Sequence, residues 1–263
     1  MLFLAALLVL PIAAFGTEIV AHRGASYSAP ENTLPAVLLG WESGADAVEI
    51  DIHRTLDGRI VGIHDKDTKR TTGQEGLVAQ LSLAHLQLLD AGAWKGPQWR
   101  ETRIPTIEQV LSTVPPGRTL VIEIKCPIGV LPELERVLDA SGKRDQVMLI
   151  AFDYETIAEA KRRMPELRSC WLYGFSGTEA ARYKIAGPES LLERVGEAGL
   201  DGLDVKHDGP WVEDLSRSLA ALGKVLYVYT VNDPGKARWL RDIGVTGITT
   251  DRPGFLREAL AGE

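Results

Sequence analysis

A histidine and an arginine stand side by side where the first apolar run of the chain ends, in Ile19-Val20-Ala21-His22-Arg23-Gly24. A second histidine, His64, ends the apolar run Ile60-Val61-Gly62-Ile63 in the same way. Histidine exchanges protons near neutral pH, and the guanidinium of arginine matches the paired oxygens of a phosphate. These residue types therefore indicate general acid/base chemistry next to a phosphate-binding cation.

Three acidic residues lie within apolar, strand-like runs. Glu49 and Asp51 alternate with branched residues, so the period of two of a strand places both carboxylates on one face. Glu123 stands in a second such run, with Lys125 two residues later on the same face. Carboxylates that point together repel one another unless a cation joins them. Three carboxylates without a cysteine form a hard site, so we expect one divalent cation, Mg²⁺ or Ca²⁺ rather than zinc.

The elements that must position these residues alternate between short β-branched runs and amphipathic segments, which is typical of βα units around a parallel sheet. The strand candidates are 18–22, 46–52, 60–64, 119–124, 147–151, 168–173, 202–205, 225–230 and 246–249. Nine strands are one too many for a closed eight-stranded barrel. We therefore predict an α/β fold, a TIM (β/α)8 barrel, with a β-hairpin that accounts for the additional strand.

The Asp57-Gly58 pair predicts the hairpin, because Asp-Gly between two apolar runs is a strong signal for a two-residue turn. With these residues as the turn, position 56 pairs with 59, 54 with 61, and 51 with 64. His64 would then be the direct cross-strand neighbour of Asp51. Two imidazoles beside a cation suggest one base that activates an attacking hydroxyl and one acid that protonates a leaving oxygen.

The segment 65–105 is too long for a simple βα loop and is rich in turn residues, with Trp94 and Trp99 inside it. In a parallel barrel, such an insertion lies over the C-terminal face of the strands, where active sites are found. We expect it to shape substrate access.

The overall composition is that of one globular domain of barrel size, with 263 residues, 45% of them hydrophobic and 25% charged. The net charge of −7 argues against nucleic-acid binding, which needs a basic face. An anionic ligand must therefore be bound by a local cluster of cations. The two cysteines, Cys126 and Cys170, cannot make a disulfide framework, and we expect them to be small buried side chains.

The N-terminal segment 1–16 resembles a signal peptide. Leu2 to Phe15 is apolar throughout, and Ala14-Phe15-Gly16 places small residues before a cleavage site at Thr17. This apolar run is too short for a membrane span, which needs about 20 residues. We expect no membrane span in the mature domain of residues 17–263. The expected location is periplasmic or extracellular. Because no Lys or Arg precedes the apolar run, a signal anchor or a misassigned start of a cytoplasmic protein are the alternatives.

Eight short motifs together resemble the glycerophosphodiester phosphodiesterase family, a group of phospholipase C-like phosphodiesterase TIM barrels. The motifs are HRG at 22–24, PENT at 30–33, ExD at 49–51, DG at 57–58, HD at 64–65, EIK at 123–125, VN at 231–232 and TDRP at 250–253. They span nearly the whole mature chain. The resemblance implies a metal-dependent enzyme that splits glycerophosphodiesters into glycerol 3-phosphate and an alcohol.

The resemblance also implies the roles of individual residues. It assigns acid/base catalysis to His22 and His64, binding of one divalent cation to Glu49, Asp51 and Glu123, and binding of the phosphate to Arg23 and Lys125. The family usually has a tryptophan where this chain has Tyr229. An aromatic wall of the substrate pocket is therefore retained, but its shape and polarity differ.

Three further histidines are assigned no catalytic role. His53 lies nearer the hairpin turn and is expected at the surface, and His85 lies in a leucine-rich helix as a structural or exposed residue. His207 ends a barrel strand and is, with Lys206, a candidate for the substrate pocket.

Two alternative functions follow from the same residues. A lysophospholipase D or sphingomyelinase D-like enzyme shares the two-histidine, three-acid barrel, and the choice depends on whether the insertion around Trp94 closes over a head group or accepts an acyl chain. A non-catalytic phosphate-ester-binding protein is the alternative from another class, but no histidine or acid of the set is missing. The length of the resemblance favours a small glycerophosphodiester as substrate. The sequence does not determine the oligomeric state.

Overall fold

The computed structural model describes residues 16–261, so the predicted signal peptide lies, apart from Gly16, outside the described residues. Nine strands are present among the described residues. They are β1 (Glu18–Ala21), β2 (Ala47–Arg54), β3 (Ile60–Gly62), β4 (Thr119–Ile124), β5 (Val147–Ala151), β6 (Arg168–Tyr173), β7 (Gly202–Lys206), β8 (Val225–Tyr229) and β9 (Gly247–Thr250). Each lies within two residues of its predicted bounds.

Eight of these strands run parallel and close into a barrel. Their order is β1-β9-β8-β7-β6-β5-β4-β2, and β1 pairs in turn with β2, which completes the ring. The ninth strand, β3, stands outside the ring and pairs antiparallel with the C-terminal half of β2, beyond the end of β1. The prediction of a TIM barrel with one added hairpin is therefore confirmed.

Helices connect the strands on the outside of the barrel. They are α1 (Leu34–Glu42), α2 (Lys69–Thr72), α3 (Leu83–Leu86), α4 (Ile107–Ser112), α5 (Leu131–Ser141), α6 (Tyr154–Arg163), α7 (Gly177–Tyr183), α8 (Pro188–Glu197), α9 (Val212–Ala221), α10 (Pro234–Asp242) and α11 (Pro253–Ala261). Short 3₁₀ helices lie at Val78–Gln80, Pro97–Trp99, Ile128–Val130 and Arg144–Gln146. None of the helices in residues 16–261 is long and apolar enough to cross a membrane.

The predicted register of the hairpin is wrong by one residue. Position 54 pairs with 60 rather than with 61, because the turn contains three residues instead of two. Gly58 has a positive φ of 81°, as three-residue hairpin loops require at their last position. Ile63, whose N–H donates to the carbonyl of Asp51, therefore takes the place predicted for His64. The chain bends at His64 and leaves the strand.

The inside of the barrel has an apolar part and a polar part, which lie at different positions along the strands. Ala47 and Val121 belong to a buried apolar cluster, which also contains Val20, Met148, Ile150, Cys170, Leu172 and Tyr227. Residues two positions further along a strand share the same face. The side chains at positions 49, 51 and 123 therefore face the interior nearer the C-terminal ends of their strands, where the site lies.

The opposite end of the barrel is closed by Tyr227. Its hydroxyl donates to Glu18 Oε2 at 2.7 Å and accepts from Arg168 Nη1 at 2.9 Å. The ring lies so close to Gly247 on the neighbouring strand that any Cβ at this position would collide with it. The hydroxyl thus links two charged side chains across the closed end of the barrel.

Replacing Tyr227 with phenylalanine should lower the free energy of unfolding by about 1–3 kcal/mol, because two charged groups lose a hydrogen-bond partner in a partly buried place. Urea unfolding followed by circular dichroism measures the change. Tyr27→Phe is the control, since this ring is exposed, and it should change the value by less than about 0.5 kcal/mol. Equal stability of the two variants would contradict the prediction.

Candidate active site

Three carboxylates meet inside the barrel near the C-terminal ends of β2 and β4. Glu49, Asp51 and Glu123 are 2%, 0% and 9% exposed, and each offers an oxygen within 4.8 Å of the others. Asp51 and Glu123 are direct neighbours across the parallel strand pair. The expectation from strand periodicity, that these three acids share one place, is therefore met.

The electrostatics of this cluster favour a bound cation. Burial, together with repulsion from Asp51 and Glu123, raises the pKa of Glu49 well above its usual value. Burial and the charge of Asp51 likewise raise the pKa of Glu123 to about 7. Glu49 Oε1 and Asp51 Oδ1 are buried and have no hydrogen-bond partner among the described residues. Unpartnered carboxylate oxygens at this spacing fit a hard divalent cation such as Mg²⁺ or Ca²⁺.

Two cationic side chains border the cluster. Lys125 Nζ donates to Glu123 Oε1 at 2.8 Å and lies 3.5 Å from Asp51 Oδ1. Arg23 Nε lies 3.2 Å from Asp51 Oδ2. Burial opposes ionisation of Asp51, but these two cations keep its pKa below the usual value. A cation and a phosphate entering here would find both positive groups next to the carboxylates.

Arg23 is placed by a tight turn that follows β1. Its backbone has a positive φ of 55°, and the following Gly24 has a φ of 79°. The N–H of Arg23 donates to Glu49 Oε2 at 2.8 Å, which ties the turn to the acid cluster. A Cβ at Gly24 would collide with the backbone of Ala36 in α1, so only glycine fits. The HRG motif is therefore a turn that holds the arginine against the acids.

Asn32 clamps Asp51 from the loop that precedes α1. Its Nδ2 donates to Asp51 Oδ2 at 2.7 Å, and its Oδ1 accepts from the backbone N–H of Asp51 at 3.0 Å. The backbone of Asn32 also has a positive φ, 56°, a conformation that asparagine tolerates better than most residues. The asparagine of the PENT motif thus orients a carboxylate of the cluster.

The first histidine is oriented by a carboxylate from the opposite end of the chain. His22 Nδ1 lies 2.7 Å from Asp251 Oδ1, so the ring donates from this nitrogen and keeps Nε2 for other partners. Burial opposes ionisation of Asp251, but hydrogen bonds from His22, Asn232 and Ser26 lower its pKa to about 2. Asp251 therefore stays anionic and fixes the His22 ring.

The second histidine has the same arrangement with a sequence neighbour. His64 Nδ1 lies 2.7 Å from Asp65 Oδ1. Burial lowers the pKa of His64 despite the nearby charges of Asp51 and Asp65, which favours the neutral ring. His53 Nε2 lies 3.1 Å from the carbonyl of His64, so the expectation of a surface position for His53 is wrong. It lies two residues after Asp51 on β2, and therefore on the same inward face, where the chain at His64 covers it.

Tyr229 is the last residue of β8, on a different side of the site from β2. Its ring packs edge to face against Phe152, with centroids 5.9 Å apart, and the Lys125 ammonium lies 5.9 Å from the centre of the Phe152 ring. Phe152 lines a cavity of about 680 Å³ that begins at Glu123 and Lys125 and extends to Tyr183, whereas Tyr229 is not among its lining residues. Tyr229 therefore borders this cavity only indirectly, through its contact with Phe152.

The insertion 65–105 reaches the site, as expected. Trp94 and Lys95 line a cavity of about 260 Å³ together with His22 and Arg23. Lys95 Nζ donates to the carbonyl of Ser26 at 2.7 Å, which joins the insertion to the turn after β1. Trp99 does not line this cavity.

The remaining residues that the sequence singled out differ in their exposure and partners. His207 is half-buried at the end of β7, and Lys206 is exposed and pairs with Asp208. His85 is exposed, and both Cys126 and Cys170 are free thiols.

Sequence reasoning missed the residues that hold the histidines and the arginine. Asp65 and Asp251 stand in the HD and TDRP motifs, but the motifs do not predict their contacts with His64 and His22. An acidic residue directly after a strand-end histidine was a usable signal for Asp65. No local signal connects Asp251 to His22, because 229 positions separate them.

Comparison with known proteins gives one consistent result. The model of the glycerophosphoryl diester phosphodiesterase family matches residues 22–255. A glycerophosphodiester phosphodiesterase of Caldanaerobacter subterraneus subsp. tengcongensis is 31% identical over 242 residues, which are 90% of this chain and 95% of that protein. Another, from Bacillus subtilis (strain 168), is 30% identical over 261 residues, with coverage of 92% and 86%.

A solved structure is similar in both fold and sequence. It is that of an Oleispira antarctica phosphodiesterase in complex with the product sn-glycerol-3-phosphate. The TM-score is 0.82 and the sequence identity 29%, with 94% of this chain and 98% of that chain covered. By its barrel, its match over residues 22–255 and these relatives, the chain belongs to the glycerophosphoryl diester phosphodiesterase family and is a phosphoric diester hydrolase.

Proposed function

We propose that this protein hydrolyses a small glycerophosphodiester to glycerol 3-phosphate and an alcohol, with His22 and His64 as the acid/base pair and one divalent cation at the three acids. One observation carries the proposal. The two histidines are each fixed through Nδ1 to a carboxylate, and they stand beside a buried cluster of three carboxylates. The product bound to the Oleispira antarctica relative supports glycerol 3-phosphate as the product here.

Glu49, Asp51 and Glu123 would hold the cation, and Mg²⁺ and Ca²⁺ suit their oxygen ligands. When bound, such a cation supplies positive charge that stabilises the phosphate oxygens in the transition state. Arg23 and Lys125 add two fixed positive charges at the same place. Both now pair with the acids, and a phosphate offers each of them a further anionic partner.

The two histidines supply the proton transfers. With Nδ1 bound to a carboxylate, each ring can turn Nε2 to the substrate, and neither Nε2 has a hydrogen-bond partner among residues 16–261. One ring accepts the proton of the attacking hydroxyl, and the other donates a proton to the leaving alkoxide oxygen, which is otherwise a poor leaving group. The carboxylates of Asp65 and Asp251 stabilise whichever ring becomes positive during these transfers.

A lysophospholipid is the second candidate substrate, and one feature favours it. A cavity of about 440 Å³ with a largely apolar surface has Lys125, Arg54 and Lys66 in its lining. Its lining includes Leu56, Leu77, Pro127 and Val130. An acyl chain would find apolar partners there, so activity toward a lysophospholipid must be measured beside that toward a small substrate.

The purified protein should release glycerol 3-phosphate from glycerophosphocholine, and EDTA should abolish the release. His22→Ala should lower kcat by about 10²- to 10⁴-fold, because the reaction loses one of its two proton-transfer groups. An enzyme-coupled assay for glycerol 3-phosphate measures both effects.

His85→Ala is the matched control for this experiment. His85 is exposed on helix α3, and the variant should retain full activity. Cleavage of lysophosphatidylcholine without cleavage of glycerophosphocholine would favour the second candidate. If neither substrate is cleaved, the non-catalytic phosphate-ester-binding alternative gains support and the proposal fails.

Addition of Mg²⁺ or Ca²⁺ to the EDTA-treated protein should raise its unfolding temperature. A ligand at 100 times its Kd stabilises the folded state by about 2.7 kcal/mol, which corresponds to about 5 °C or more for a domain of this size. Glu123→Gln should remove most of this shift, whereas Glu133→Gln, a half-buried residue of α5 that pairs with Arg136, should keep it. Differential scanning fluorimetry measures the shift, and its absence with both ions would contradict the assignment of the site.

A further inference from the structure

One arginine of the insertion bridges two carboxylates of the site region. Arg70 Nη1 and Nη2 donate to the two oxygens of Glu31, each at 2.8 Å. Its Nε donates to Asp65 Oδ2 at 2.6 Å. The planar fork of the guanidinium is suited to such a bidentate contact, and its Nε–H donates to the second carboxylate, that of Asp65.

Each of these carboxylates also binds a residue of the proposed catalytic site. Asp65 Oδ1 accepts from His64 Nδ1 at 2.7 Å, and Glu31 Oε1 accepts from Arg23 Nη1 at 3.0 Å. Arg70 is therefore connected to the proposed acid/base ring through Asp65 and to the proposed phosphate-binding guanidinium through Glu31. Arg70 makes no hydrogen bond or ion pair with either of these groups in the part of the chain that the structure describes.

The charges along this chain of contacts alternate in sign. Arg23, Glu31, Arg70 and Asp65 follow one another as cation, anion, cation and anion. The hydrogen bond from Arg70 is the largest cause that lowers the pKa of Asp65, which reaches about 2. Asp65 therefore stays an acceptor for the His64 Nδ1–H over the whole working range of pH.

The backbone around Arg70 is fixed by its own hydrogen bonds. Arg70 lies in the single turn of α2, where Thr68 Oγ1 donates to the carbonyl of Gln74 at 2.6 Å. Thr72 Oγ1 donates to the carbonyl of Thr68 at 2.8 Å, and Gly73, with a φ of 71°, ends the turn. The guanidinium is thus presented by a segment whose backbone is held by local hydrogen bonds.

We propose that Arg70 is a positioning residue that holds the His64 ring and the Arg23 guanidinium in their working orientations through Asp65 and Glu31. This inference rests on the proposed function, because it takes His64 as an acid/base group and Arg23 as a phosphate ligand. It gives the insertion a second task beside shaping the pocket: its first helical turn joins the loop after barrel strand β1 to the segment after the hairpin strand β3.

Arg70→Ala should lower kcat/KM for glycerophosphocholine by about 10- to 100-fold, the usual effect of removing a residue that orients a ligand or catalytic group. Guanidinium chloride at a low, non-denaturing concentration should restore part of the activity, because the free ion can occupy the vacated place. Arg70→Lys should recover little, since an ammonium cannot bridge both carboxylates in the same plane. Arg59→Ala is the matched control: Arg59 and Arg70 are both 44% exposed, but Arg59 pairs with Glu108 away from the site.

The two arms of the contact chain should separate in the kinetic constants. Asp65→Asn should lower mainly kcat, because it releases the His64 ring, and Glu31→Gln should raise mainly KM, because it releases Arg23. Arg70→Ala should show both effects, and adding it to Asp65→Asn should change kcat little further. An Arg70→Ala variant no more impaired than Arg59→Ala would overturn the inference. So would a loss that follows thermal stability and is not restored by guanidinium.

A proton NMR measurement decides the role of Arg70 without turnover. The hydrogen-bonded Nδ1–H protons of His64 and His22 should give separate downfield resonances in the wild-type protein, assigned with His64→Asn. Arg70→Ala should broaden or remove the His64 signal and leave that of His22, which is bound to Asp251. An unchanged His64 signal would overturn the inference, whereas failure of the wild-type protein to hydrolyse the substrate would count against the proposed function alone.

Discussion

Repulsion among three buried carboxylates is the constraint on which the rest of the site depends. Glu49, Asp51 and Glu123 are held within 4.8 Å of one another by adjacent strands that cannot move apart without opening the barrel. Desolvation and repulsion raise the pKa of Glu49 and Glu123, so the cluster is stable as three anions only with positive charge beside it. A cation bound among these acids would remove the repulsion, which is the physical basis of the proposed metal site.

The strands and the loops of the barrel have different tasks around this cluster. Strands β2 and β4 supply the carboxylates, whose positions follow from the paired strand backbones, and Lys125 directly follows β4. Loops supply the two histidines and Arg23, which would be mobile without further support. That support comes from a layer of acceptors: Asp251 holds His22, Asp65 holds His64, and Glu31 holds Arg23. Three acidic side chains thus orient the two imidazole rings and the guanidinium of Arg23.

The sequence predicted the features that depend on local periodicity and missed those that depend on distant contacts. The period of two placed Glu49, Asp51 and Glu123 on the inner face of the barrel, and the strand bounds were close to those observed. The hairpin register failed by one residue because an Asp-Gly pair fits both a two-residue turn and the end of a three-residue loop with Gly58 at positive φ. The surface position expected for His53 was wrong for a different reason, because nearness to the hairpin turn did not reveal that the chain at His64 covers it. The partnership of His22 with Asp251 could not be predicted, because only closure of the barrel brings β1 and β9 together.

The central claim is that the three carboxylates form one cation site, and a metal-soaked crystal tests it most directly. Anomalous scattering from Mn²⁺, which prefers the same oxygen ligands as Mg²⁺ and Ca²⁺, locates the ion without reference to activity. We expect one strong peak bound by oxygens of Glu49, Asp51 and Glu123, with the Lys125 ammonium displaced from Glu123. A peak at other residues, or no peak while Lys125 keeps its contact with Glu123, would contradict the account.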